Sequence, residues 1–188
     1  MKFLRLFVAT VLVLSIFSCK EEKKAETVDT PVESGVSTFY LIRHAEKDQS
    51  DPDNVDPELT QAGLGRAMHW AEILQDAELD AVYSTDYNRT SMTASPTSVK
   101  NDIDTQYYDP NEIDIEQFKT ENLNKRVLIV GHSNSTPEFA NKLLGEEKYY
   151  QMDEYDNGSF FIVQIVNGVA TSQKIVFNCN CPKREESL

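Results

Sequence analysis

Two runs of apolar residues, each stopping abruptly on a histidine, constrain this chain more than any other feature. The first is Val36-Ser37-Thr38-Phe39-Tyr40-Leu41-Ile42-Arg43-His44-Ala45-Glu46, the second Arg126-Val127-Leu128-Ile129-Val130-Gly131-His132-Ser133. Phe39 to Ile42 and Val127 to Val130 show no polar alternation, which suits central parallel strands covered on both faces better than half-exposed ones. In open α/β sheets, ligands bind in the crevice beyond the carboxyl ends of the parallel strands. Adjacent placement of the two strands would put His44 and His132 in one such crevice. A third run, Asp80-Ala81-Val82-Tyr83-Ser84, leads through Thr85 and Asp86 into Arg89-Thr90, so Arg89 falls at a helix start just past another strand end. The expected fold is α/β, a three-layer sandwich with a mainly parallel central sheet.

The other elements are read from periodicity and punctuation. Thr60 is a suitable N-cap for a helix whose core face carries Leu64, Ala67, Met68, Ala71 and Leu74, with His69 toward solvent and Trp70 at the edge. The helix holding Arg89 is expected to begin near Asp86 and to end before Pro96. Thr105 to Tyr108 reads as a short strand, and Ile113 to Phe118 as a helix after the turn at Asp109-Pro110-Asn111-Glu112. Pro137 suits a helix entry and Gly145 a helix stop. Phe160 to Val166 and Val169 to Phe177 read as a β-hairpin on Asn167-Gly168. The Asp- and Pro-rich segment 47–57 lacks calcium-loop spacing, because Val55 stands where a ligand is needed and no glycine follows at the turn. It reads as a solvated rim of the crevice, with Lys47 exposed.

The ends are different in kind. Lys2 and Arg5 precede an apolar run from Leu6 to Phe17, too short to span a bilayer and suited to a signal peptide over 1–18. Ile16-Phe17-Ser18-Cys19 resembles a bacterial lipoprotein cleavage site, with Cys19 the lipidated residue and 19–35 a polar tether. An exported lipoprotein, anchored to a membrane and facing the periplasm or the cell surface, is expected. The folded domain would then occupy 36–178 and a tail 179–188. Removing Lys2 and Arg5 with the leader takes the net charge from −13 to −15, which disfavours nucleic acid as a partner. Cys179 and Cys181 flank a single residue, where a bond would be strained and a metal would need further ligands. They receive no role.

Arg43, His44, Arg89 and His132 together define the chemistry. Four such groups without acidic companions repel a metal cation and suit a dianion, which arginine holds through planar, charge-assisted forks. The same cations depress a neighbouring imidazole and keep it neutral near pH 7. A neutral imidazole can accept a phosphoryl group and pass it to water, splitting one displacement into two.

Arg43-His44-Ala45-Glu46, Leu59-Thr60-Gln61-Ala62-Gly63 with Arg66-Ala67, Tyr83-Ser84-Thr85 with Arg89-Thr90 and Thr93-Ala94, and Val130-Gly131-His132-Ser133 resemble the motifs of the histidine phosphatase superfamily. They occur in the family's order over 39–134. The resemblance implies a phosphoglycerate-mutase-like fold without a large inserted cap, and a phosphomonoester hydrolase that needs no cofactor and no metal. It makes His44 the residue that becomes phosphohistidine, and Arg43, Arg89 and His132 the holders of the phosphoryl group. It also implies a carboxylic acid for the leaving oxygen, for which Asp109 is the candidate, with Glu112 beside it. Expected substrates are phosphorylated small molecules or phosphoproteins.

Two rival readings remain in view. Gly131-His132-Ser133-Asn134-Ser135 approaches a nucleophile elbow, but that fold supplies a histidine after the serine, and His44, His69 and His132 all precede Ser133. A non-catalytic phosphate-binding module of the same fold is the alternative that keeps the anion pocket.

Overall fold

The computed structural model describes residues 35–177. The expected leader, Cys19, nearly all of the tether, and the tail with Cys179 and Cys181 lie outside the described residues. Within them the strands are β1 (Val36–Arg43), β2 (Ala81–Ser84), β3 (Thr105–Tyr107), β4 (Arg126–Gly131), β5 (Ser159–Val166) and β6 (Val169–Val176). The helices are α1 (Gln61–Ile73), α2 (Asn88–Asn101), α3 (Ile115–Glu121) and α4 (Ser135–Leu144).

The strands form one sheet in the order β3-β2-β4-β1-β5-β6. The first four run parallel, while β5 lies antiparallel to β1 and β6 to β5. Alternate residues of the central strands serve two separate cores, as the two-residue strand period requires. Phe39, Leu41, Val127 and Ile129 pack with Phe118 of α3 and with Phe139, Ala140 and Leu143 of α4. On the other face Ile42, Leu128, Val130 and Val82 pack with Trp70 of α1, the neighbouring Leu74 and Ala94 of α2. These are the expected three layers. Burying each large apolar side chain contributes about 1.5–3 kcal/mol, so the strands carrying the two histidines lie in the best-anchored part of the sheet.

Capping and turn chemistry follow the sequence closely. Thr60 Oγ1 accepts from Gly63 N at 3.1 Å and starts α1. A side chain at Gly63 would place its Cβ 2.2 Å from the Glu46 carbonyl oxygen, so the bare glycine lets α1 seat directly on the exit of β1. Gly145 ends α4 at φ 74°. Asn167 and Gly168, at φ 51° and 79°, turn the hairpin as a tight Asn-Gly pair with both residues at positive φ.

Three expectations are corrected. The helix holding Arg89 continues through Pro96 to Asn101. An interior proline costs roughly 3 kcal/mol, and here the burial of Thr93, Ala94, Thr97 and Ser98 along the same face outweighs it. On α1 the buried stripe is Gly63, Ala67, Trp70 and Ala71, whereas Met68 is 56% exposed. The stripe is rotated toward Trp70, which stacks on Phe160 and meets the edge of Phe177. The third helix begins at Ile115, not Ile113, because the Asp114 side chain accepts from Glu116 N and Gln117 N and makes itself the N-cap.

Candidate active site

The strand ends meet as the apolar runs imply. β1 and β4 are neighbours with Arg43 opposite Gly131, and β4 pairs with β2 with Val130 opposite Ser84. The next residue of each strand is therefore His44, His132 and Thr85. His44 N donates to Gly131 O at 2.9 Å and Thr85 N to Val130 O at 3.3 Å, extending the sheet bonding into the site. The two imidazoles lie with ring centroids 5.5 Å apart. At Gly131 a Cβ would meet Thr136 Oγ1, Ser135 Oγ and the Tyr108 hydroxyl at 2.9–3.1 Å, so this position has room only for hydrogen.

His44 is 3% exposed and its backbone is bonded on every side. Asn157 Nδ2 donates to His44 O at 2.9 Å, and Ala45 N donates to Thr93 Oγ1 at 2.9 Å. The ring itself lies 2.8 Å from Ala45 O through Nδ1. A carbonyl only accepts, so Nδ1 carries the proton and Nε2 keeps its lone pair. His44 Nε2 is thereby the ring nitrogen with an uncommitted lone pair.

A hydroxyl relay fixes the second imidazole. Thr90 Oγ1 donates to the carbonyls of Thr85 and Tyr87 at 2.8 and 2.9 Å, which uses its proton. Thr85 Oγ1 then donates to Thr90 Oγ1 at 3.0 Å and accepts from His132 Nε2 at 2.9 Å. The network assigns the His132 proton to Nε2.

Both arginines are held, and each keeps its Nε uncommitted among the described residues. Arg43 is 3% exposed; its Nη1 donates to Asp153 O and Glu154 O at 2.7 and 2.9 Å, and its Nη2 to Glu154 Oε2 at 3.2 Å. Arg89 Nη1 pairs with Asp56 Oδ1 at 3.3 Å, and its guanidinium lies 4.3 Å over the Tyr87 ring. The same Asp56 accepts from Asn88 N at 2.9 Å and so caps α2 from the loop. The Nε atoms of Arg43 and Arg89 are buried without a partner among the described residues. Elsewhere the 47–57 loop folds on itself: Asp48, Asp51 and Asn54 each accept from the backbone two residues ahead.

These groups line a crevice of about 720 Å³ bounded also by Lys47, Tyr87 and the start of α4 at Ser135. Asp109 lines it too, with Oδ1 accepting from both Asn111 N and Nδ2. Glu112 lines a different depression, bounded by Tyr83, Tyr108 and residues of α3. Glu46 is forked to Arg66, which outweighs burial and holds its carboxyl below the usual range. Sequence reasoning missed Asp56, Thr85 as a ring partner, Glu154 and Asn157.

The electrostatics keep both imidazoles neutral. Burial foremost, then Arg43, His132 and Arg89, pull His44 down to about 3 against the Ala45 carbonyl. Burial, then Arg89, Arg43 and Lys47, pull His132 down to about 4 against Asp56. An unfolded imidazole takes its proton near 6.5, so between that pH and the folded values the unfolded chain binds more protons. Stability from these sites is complete above 6.5 and is lost as pH falls toward 4 and 3. The slope is at most about 1.4 kcal/mol per unit for His44, and less for half-buried His132 because solvent screens it. Urea midpoints at pH 7 and 5 are expected to fall further for the wild type than for a His44→Ala/His132→Ala double variant. An equal fall in both would refute the assignment.

The comparisons with known proteins agree with this geometry. Residues 39–114 match the model of the histidine phosphatase superfamily (branch 1). No curated protein matches the sequence. Among solved structures, the chain is similar to a putative phosphohistidine phosphatase SixA from Nakamurella multipartitia, at 20% identity and TM-score 0.56 over 77% of this chain and 97% of that one. It is also similar to the protein histidine phosphatase SixA complexed with tungstate, at 13% identity and TM-score 0.58 over 74% and 96%. A phosphoglycerate mutase from Bacillus anthracis matches at 16% identity and TM-score 0.56 over 76% and 93%. At such identities these likenesses establish the fold, which is phosphoglycerate-mutase-like. Residues 39–114 thus match the histidine phosphatase superfamily model, within a chain whose fold is phosphoglycerate-mutase-like.

Proposed function

We propose that this chain is a metal-independent phosphomonoester hydrolase working through a phosphohistidine on His44. The observation that carries the reading is a set of unspent groups on residues that line one crevice. His44 Nε2 has a free lone pair, and two buried arginine Nε donors lack partners. An unmet buried donor costs about 1–3 kcal/mol, a deficit that the oxygens of a phosphoryl group would remove. In the first step Nε2 forms a bond to phosphorus as the ester P–O bond breaks, and the leaving oxygen takes a proton. In the second, water attacks phosphorus, the N–P bond breaks with its electron pair returning to Nε2, and inorganic phosphate leaves. Arg43 and Arg89 hold the transferring oxygens throughout. His132, whose resting proton is spent on Thr85, joins them by taking a second proton on Nδ1 when the phosphoryl group brings in negative charge, so the site stabilises charge that spreads in the transition state. The names of the similar structures, two phosphatases of phosphohistidine or protein histidine and a mutase, support phosphoryl chemistry. Substrates are phosphorylated small molecules or phosphoproteins.

Rapid acid-free quench with a radiolabelled aryl phosphate is expected to trap an acid-labile, base-stable adduct that maps to His44 by peptide sequencing. Saturable phosphate binding without any adduct or turnover would instead favour the non-catalytic phosphate-binding module.

A further inference from the structure

The leaving oxygen needs a proton, and four carboxylates line the crevice: Asp86, Asp109, Glu138 and Glu154. Their surroundings differ. Asp109 has one oxygen, Oδ1, taken by the two donors of Asn111, and no hydrogen bond ties it to the arginines. Glu138 pairs with Lys142 along α4 at 2.8 Å. Asp86 is exposed and makes no contact with the arginines. Glu154 alone of the four touches the guanidinium that holds the phosphoryl group, with Oε2 3.2 Å from Arg43 Nη2.

Two further observations bear on Glu154. Its backbone carbonyl also accepts from Arg43 Nη1 at 2.9 Å, so main chain and side chain of one residue are pinned to one cation. Glu154 also lines a second depression of about 400 Å³ that adjoins the first and shares Lys47 with it. A residue at the boundary between the phosphoryl site and a neighbouring hollow stands where the ester oxygen has to pass. The carboxylate's own side chain is 65% exposed while the arginine is 3% exposed, so Glu154 can swing while Arg43 stays fixed.

We propose that Glu154 is the acid that protonates the leaving oxygen, after serving in the resting enzyme as a stand-in for a phosphoryl oxygen on Arg43. The assignment rests on the phosphohistidine reading above. The proton arrives with the substrate, since a phosphomonoester loses its second proton near pH 6 and binds in part as the monoanion. A phosphoryl oxygen takes over Nη2, displaces Oε2 and leaves its proton on Glu154. When Nε2 bonds to phosphorus and the P–O bond breaks, its electron pair goes to the ester oxygen, which takes that proton and departs as the alcohol. In the second step the Glu154 carboxylate accepts a proton from the attacking water and passes it to the departing phosphate, so that Oε2 returns to Arg43 as a carboxylate.

The test compares wild type, Glu154→Gln and Asp109→Asn on p-nitrophenyl phosphate, whose leaving group needs no proton, and on ethyl phosphate, whose leaving group does. Glu154→Gln keeps an oxygen acceptor for Arg43 on an exposed side chain, and its urea midpoint checks the fold. Its kcat/KM is expected to fall about 10²-fold or more on ethyl phosphate and less than about tenfold on the nitrophenyl ester, whereas Asp109→Asn changes both by one factor. Equal loss on both esters, loss on neither, or a steep dependence in Asp109→Asn instead overturns the assignment. So does a wild type that turns over only the nitrophenyl ester. In that last case the His44 adduct still forms, which separates a failure of Glu154 from a failure of the phosphohistidine mechanism.

Discussion

Turnover of p-nitrophenyl phosphate by His44→Ala is expected to fall by about 10⁴-fold or more, the size of loss seen when a covalent nucleophile is removed. The reason is positional as much as chemical. The backbone bonds to Gly131, Asn157 and Thr93 fix where the ring begins, and the Nδ1 bond to Ala45 fixes which nitrogen attacks. His132 is held differently, with its Nε2 proton committed to the Thr85 hydroxyl. His132→Ala removes one stabilising group and is expected to lose only about 10²–10³-fold, with the His44 adduct still trappable. Steady-state rates and adduct yield on both variants, with circular dichroism to establish folding, decide the matter. Equal losses in the two variants, or residual adduct in His44→Ala, would remove His44 from its assigned place.

What the sequence made legible, and what it concealed, divides along a physical line. Strands buried on both faces write themselves as unbroken apolar runs, so β1 and β4 and the histidines at their ends could be read directly. Helix caps at Thr60 and Gly145 and the Asn167-Gly168 turn are local chemistry and could be read too. The clasp on Arg43 could not. Its carbonyls come from Asp153 and Glu154, about 110 residues later in the chain, and a backbone acceptor leaves no mark in residue type. Thr85 and Thr90 were visible as motif residues, but a hydroxyl relay is defined by which proton is already used, and only the fold decides that. Asp56 was hidden by its loop, where three other aspartates have the same look and only Asp56 reaches Arg89. Pro96 misled because an intrinsic penalty of a few kcal/mol is small beside the burial of a whole helix face.

Arg43 gives the second large effect, and its two substitutions separate two duties that one guanidinium performs. Nη1 binds the backbone of the segment leading into β5, whereas Nη2 meets only the exposed Glu154 side chain and Nε has no partner among the described residues. Arg43→Ala removes both. The carbonyls of Asp153 and Glu154 then lose their donor, and the Asn157 contact that steadies His44 sits in the loosened segment. A loss of about 1–3 kcal/mol in stability is expected, together with faster amide exchange over 153–157 and a fall of about 10³-fold or more in kcat/KM. Arg43→Lys should divide these effects. An ammonium can replace Nη1 at the carbonyls, but a point charge cannot also reproduce the fork that faces the phosphoryl oxygens. Exchange over 153–157 is therefore expected to stay near that of the wild type, while kcat/KM still drops by about 10²-fold or more. If the lysine variant exchanges as fast as the alanine one, the clasp needs the whole guanidinium and the two duties cannot be separated. If it retains wild-type turnover, Arg43 holds the strap alone, and the charge on the phosphoryl group must be met by Arg89 and His132.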